Sequence, residues 1–149
     1  MGKRREGREA AVQYLYQLDL QGEQQPLEPE QFWKLRSGPE KTLASLKTRT
    51  FTESLVKGVT EHLPQIDEQI KKFTANYELH RLAAVDRNVL RVAIYEMFHS
   101  HDVAPVVIIN EAIEIAKRYG SEKSGGFVNG ILDRIKKELT RPARTAATE

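Results

Sequence analysis

Apolar residues recur at helical rather than strand spacing along most of this chain. From Glu9 to Leu20, Ala11, Leu15 and Leu18 share one stripe, with Val12 and Tyr16 on the stripe beside it, which predicts an amphipathic helix. The basic segment that precedes it, with Lys3, Arg4, Arg5 and Arg8 inside six positions, is the first turn of that helix or its frayed start. Gly22 to Pro29 breaks the pattern; Phe32, Trp33 and Leu35 then form a short apolar patch before the turn-rich "RSGPEKT". Phe51, Leu55, Val59 and Leu63 fall at i, i+4, i+8 and i+12, a helix that stops near Pro64. Ile66, Ile70, Phe73 and Tyr77 resume the spacing, so two helices in a hairpin or a kinked pair are expected.

A further pattern runs from Leu82 to Phe98, with Val85, Val89, Val92, Ala93 and Met97 on one face and Asp86, Arg87 and Arg91 off it. Val106 to Ile109 has the β-branched content of a strand but no partner strand to satisfy its backbone, and is read as the start of the next helix. That helix continues through Ala112, Ile113, Ala116 and Tyr119 to Gly120, a residue suited to a left-handed C-cap. The last helix carries Phe127, Val128, Ile131, Leu132, Ile135 and Leu139 and stops at Pro142. Gly130 within it costs about 1 kcal/mol of propensity relative to alanine, which predicts a close approach to another helix. The sum is an all-α protein of six or seven helices.

A length of 149 residues suits a single domain. No apolar run approaches the roughly 18 residues that cross a bilayer, and the charged N-terminus lacks the apolar core of a secretory signal. With no cysteine there is neither a disulfide framework nor a thiolate nucleophile, and a cytoplasmic location is expected. The net charge of +2 conceals a division by position. Residues 1–9 carry four positive and two negative side chains, and residues 134–144 five positive and one negative. The intervening residues 10–133 carry 14 positive against 17 negative, a net of −3. Basic ends on an acidic middle are either solvated tails or a contact for nucleic acid.

Catalytic equipment is sparse. His99 and His101 stand two apart, which points them to different sides of a helix, and no acidic or cysteine cluster completes a metal site beside them. His62 and His80 are isolated. Glu111 and Glu114 lie at acid–base spacing without oxyanion donors and read as solvated charges. The glycine-rich "YGSEKSGGF" has Phe127 where a nucleotide-phosphate loop would want lysine and a hydroxyl residue after its final glycine. It does offer Lys123, Ser124, flexible glycines and Phe127 at a helix start, types that suit phosphates and an unstacked base of single-stranded RNA. A plain helix connection with Phe127 in the core is the other reading, and Tyr16 carries the same ambiguity.

"REAAVQYLYQLDL", "VDRNVLRVAIYEM" and "VAPVVIINEAIEIAKRYGSEKSGGFVNGILD", in this order, resemble the NusB family of bacterial transcription antitermination factors. The resemblance implies an all-α fold of about seven helices in two small packed bundles, an N-terminal one over about 1–78 and a C-terminal one over about 79–141, with 142–149 a disordered tail. It implies a non-enzymatic protein without cofactor or metal that binds boxA RNA of ribosomal RNA operon leaders. It further implies NusE, a small-subunit ribosomal protein, as partner and RNA polymerase as the complex joined, with no membrane association. By position, Lys3, Arg4, Arg5, Arg8, Tyr16 and Phe127 correspond to its RNA surface, which the loop residues Lys123 and Ser124 are expected to join, and Asp86 lies near its NusE-facing surface. Lys123 stands where some relatives have an acidic residue, which should favour phosphate contacts. A related helical domain precedes the catalytic domain of some RNA methyltransferases, but this chain has no cofactor-binding α/β domain. A protein interaction module that forms a homodimer is the alternative.

Overall fold

The computed structural model describes residues 2–21, 28–37, 46–74 and 79–139. They form seven α-helices and no strand among the described residues: α1 Gly2–Gln21, α2 Pro29–Ser37, α3 Leu46–Glu61, α4 Leu63–Phe73, α5 Ala84–His99, α6 Pro105–Tyr119 and α7 Ser124–Lys136, with a 3₁₀ turn at Leu79–Arg81. Tyr77, the boundary expected near residue 78 and the tail after residue 141 lie outside or against the edge of the described residues. The chain divides into two compact units, Met1–Lys57 and Gly58–Glu149.

In the first unit, α1 contributes Ala10, Ala11, Tyr14 and Leu15 to the core, and α2 contributes Phe32 and Trp33. Tyr14 takes the place expected of Leu18, which is only half-buried. Its ring centroid stands 4.5 Å from that of Phe32, which meets Trp33 edge-on at 5.1 Å. The patch that sequence left as three apolar residues is therefore one turn of an amphipathic helix, with Leu35 outside at 64% exposure. The Trp33 indole N–H donates to the Glu53 carboxylate of α3 at 2.9 Å, so the buried ring keeps its polar edge satisfied. Thr52 Oγ1 donates to the Gly7 carbonyl of α1 at 2.9 Å. A Cβ at Gly7 would stand 2.6 Å from Phe51 Cδ2, closer than real contacts allow, so the absent side chain lets the α3 ring lie on α1.

In the second unit α5, α6 and α7 pack on one another, and α4 packs on α5 and α7. Val89, Leu90, Val92, Ala93, Ile94 and Met97 bury α5 on nearly every side. Two residues placed off its apolar face, Asp86 and Arg91, are buried too. Arg91 makes a two-pronged pair with Asp67 of α4, Nε to Oδ1 at 2.9 Å and Nη2 to Oδ2 at 3.1 Å, and donates to Asn88 Oδ1 at 3.1 Å. Burial of a guanidinium is tolerable here because its donors find matched acceptors.

The residues at 106–109 are helical, as the missing partner strand required, and Pro105 opens α6, where its absent N–H costs nothing. Two glycine readings are corrected. Gly120 has φ −98° and ψ −161°, extended rather than left-handed. It is glycine for space, since a Cβ would come within 2.8 Å of the Ala116 carbonyl oxygen. Gly130 faces open space with nothing within 4 Å of a Cβ, so it marks no helix approach. Helix α7 also stops at Lys136, before Pro142.

Candidate nucleic-acid interface

The basic segment is helical from Gly2 onward, so its cations occupy the first two turns of α1. A helix N-terminus carries a partial positive charge, and cations there are unfavourable by roughly 0.3–1 kcal/mol each. No acidic residue stands in the first turn to offset them. Glu6, the one carboxylate among them, is met from α2: Arg36 Nη1 lies 3.7 Å from its Oε2 while Arg36 Nε donates to Gln13 Oε1 at 2.7 Å. The first turn of α1 therefore adds cations to the positive end of the helix dipole, a place that favours an anion.

The cations are not equivalent. Arg4 is exposed, and its guanidinium lies 4.5 Å above the Phe51 ring. Arg5 is half-buried. Arg8 is 5% exposed, its guanidinium 5.5 Å from the same ring, so it braces α1 against α3. Of Lys3 the structure describes the helical backbone. Tyr16 is half-buried on the same helix. Phe51, shared by two arginines, was missed in the sequence because it opens the i, i+4 stripe read as core. Its signal was its position one turn after the cation Lys47.

In the second unit the loop after α6 is held by its own serines. Ser121 N–H donates to Ser124 Oγ at 2.9 Å, and Ser124 is 1% exposed. Lys123 is exposed beside it, and Phe127, whose N–H donates to the Lys123 carbonyl at 3.1 Å, is half-buried. Ser124 thus shapes the loop from inside, beside the exposed Lys123 and the half-buried Phe127. The α1 residues and this loop belong to different units. Asp86, in the first turn of α5, is 9% exposed and its Oδ1 has no hydrogen-bond partner.

Other chemistry is not assembled. Two of the four histidines come together: His62, read as isolated, and His99 have ring centroids 4.3 Å apart, and Tyr95 and His99 4.9 Å. Burial first, then repulsion from His62 and His101, lowers the His99 pKa below its ordinary 6.5. Among the described residues no group of three or more His, Cys, Asp or Glu is placed to hold a metal ion. Glu111 is buried rather than solvated, and exposed Glu114 approaches Lys117 at 4.0 Å. No described helix is long and apolar enough to cross a membrane.

A sequence profile of the NusB family matches residues 5–137. The transcription antitermination protein NusB of Sorangium cellulosum is 45% identical over 97% of this chain and 99% of its own length. That of Bacillus subtilis is 43% identical over 92% and 97%. Among solved structures, T. maritima NusB superimposes with a TM-score of 0.79 at 39% identity over 93% of each chain. A chain from a crystal structure of the antitermination factors NusB and NusE in complex with double-stranded RNA matches at 30% identity and TM-score 0.76, over 93% of this chain and 99% of that one.

Proposed function

Because the chain belongs to the NusB family, we propose that it is a transcription antitermination factor that binds boxA RNA together with NusE and joins the RNA polymerase antitermination complex. The observation that best supports this reading is the start of α1, where Lys3, Arg4, Arg5 and Arg8 crowd the positive end of a helix dipole with no acidic residue in the first turn. The function is recognition without catalysis, in the cytoplasm, with no cofactor. Lys3, Arg4 and Arg5 hold phosphates, Arg8 acts by bracing α1, and Tyr16 borders the contact. Lys123 supplies a further cation and Phe127 a ring, on a loop that Ser124 positions. Asp86, in the first turn of α5, stands at the position assigned to the NusE-facing surface.

Titration of boxA RNA across a salt series, with a scrambled RNA as control, tests the assignment. For a single strand, log K falls against log salt by about 0.7 per phosphate contact. An Arg4→Gln/Arg5→Gln protein should lose affinity and flatten that slope by about 1.4 if each makes one contact. An unchanged slope and affinity would move the RNA surface off α1.

A further inference from the structure

We infer that a groove between the start of α1 and the first turns of α3 is a nucleobase subsite for single-stranded RNA; the inference rests on the RNA-binding reading and adds a base contact to it. The groove encloses about 590 Å³ and is bordered by Arg4 of α1 and by Leu46, Lys47, Thr50, Phe51 and Ser54 of α3. That volume falls among the roughly 300–1,000 Å³ of sites that take small organic molecules.

Its lining follows from helix geometry. Leu46, Thr50 and Ser54 are spaced by four, as are Lys47 and Phe51, so all five share one face of α3. Core packing does not claim that face. Leu46 is 78% exposed, and Phe51 is only half-buried although it heads the core stripe. The ring is nonetheless held in place: it rests in the space left by Gly7 and lies under the Arg4 guanidinium at 4.5 Å.

An apolar floor edged by cations selects a ligand that is flat and apolar on its faces and anionic at its attachment. A nucleotide has that form. The base lies against Phe51 and Leu46, its phosphate meets Arg4 or Lys47, and the exposed Thr50 hydroxyl reaches the base edge. The Arg4 guanidinium, held over the ring at 4.5 Å, adds a cation to the stacking platform. Continuity with the cations of α1 places the subsite on the path of the same strand.

The test uses boxA RNA carrying 2-aminopurine at one position at a time. Stacking quenches this base, so wild-type protein should quench one position more than the others. Phe51→Leu should abolish that difference and weaken binding at least about fivefold, the low end for one stacked base. Its salt slope should stay the same, because no phosphate contact is lost. Leu46→Ser, at a position too exposed to matter for folding, should weaken binding in the same direction. Wild-type protein that binds RNA with no position singled out overturns the subsite, as do both variants binding like wild type. Wild-type protein that fails to bind RNA overturns the broader reading and the subsite with it.

Discussion

The Asp67–Arg91 pair allows a stability effect to be worked from geometry. Both side chains are largely removed from water, with 16% of Asp67 and 9% of Arg91 exposed. Asp67→Ala would leave the guanidinium buried with Asn88 Oδ1, at 3.1 Å, among its acceptors. Breaking a fully buried pair by removing one partner costs about 3–5 kcal/mol, whereas an exposed pair contributes about 0–1. Slight solvent access and the Asn88 acceptor bring the expected loss to about 2–3 kcal/mol. With a urea m-value of about 2 kcal/mol/M, the unfolding midpoint should fall by about 1–1.5 M. Lys72–Glu138 is an internal control. Its contact is shorter, 2.8 Å, but its side chains are 56% and 38% exposed, so Lys72→Ala should shift the midpoint little. Replacing the buried pair by Asp67→Leu/Arg91→Met should recover most of the loss, because no orphaned charge remains. Circular dichroism at 222 nm during urea titration measures all four proteins. A midpoint for Asp67→Ala within about 0.3 M of wild type would refute the reasoning, since that is the scale of an exposed pair.

Gly58→Ala places a Cβ inside the Tyr95 ring, so the overlap should outweigh the helix-propensity gain of about 1 kcal/mol and lower the melting temperature; a rise would show that Tyr95 moves aside freely. His99 has a folded-state pKa below its unfolded value, so the unfolded chain binds more protons and stability should decline as pH falls from about 6.5 through the folded pKa. His99→Gln should narrow the difference between melting temperatures at pH 5 and 7.5; an unaltered difference would assign it to other groups. Ser124→Ala removes the acceptor of the Ser121 N–H and should cost about 0.5–1 kcal/mol in thermal unfolding. It should also reduce RNA affinity only as far as the loop loosens, which retention of the wild-type salt slope would check.

What the sequence made legible was set by the range of the interaction concerned. Helices α3 to α7 could be read because their signals are local: a stripe every three or four residues, Pro64 and Pro105 at starts, and an apolar run too isolated for a strand. Helix α2 is short, and only its two buried rings spoke for it. Asp86 and Arg91 were placed off the core because periodicity scores polarity, whereas Arg91 is buried through a partner 24 residues earlier. Gly120 and Gly130 show the same limit. Composition suggested a backbone angle for one and a neighbour for the other, but space against the Ala116 carbonyl explains the first and open solvent surrounds the second. At the candidate site the arginines stood out as a local charge run. Phe51 did not, because a ring at the end of an apolar stripe is indistinguishable from core until α1 is seen to lie on it.

Gly7 and Phe51 are 44 positions apart, yet the missing side chain of one is the space occupied by the other. That gives the two sites a shared history. A lineage that gains a side chain at position 7 must first, or at once, shrink or turn the residue at position 51, and a lineage that loses the ring leaves position 7 open to drift. Pairs drawn from many descendants should therefore change together, and the order of change should run from 51 to 7.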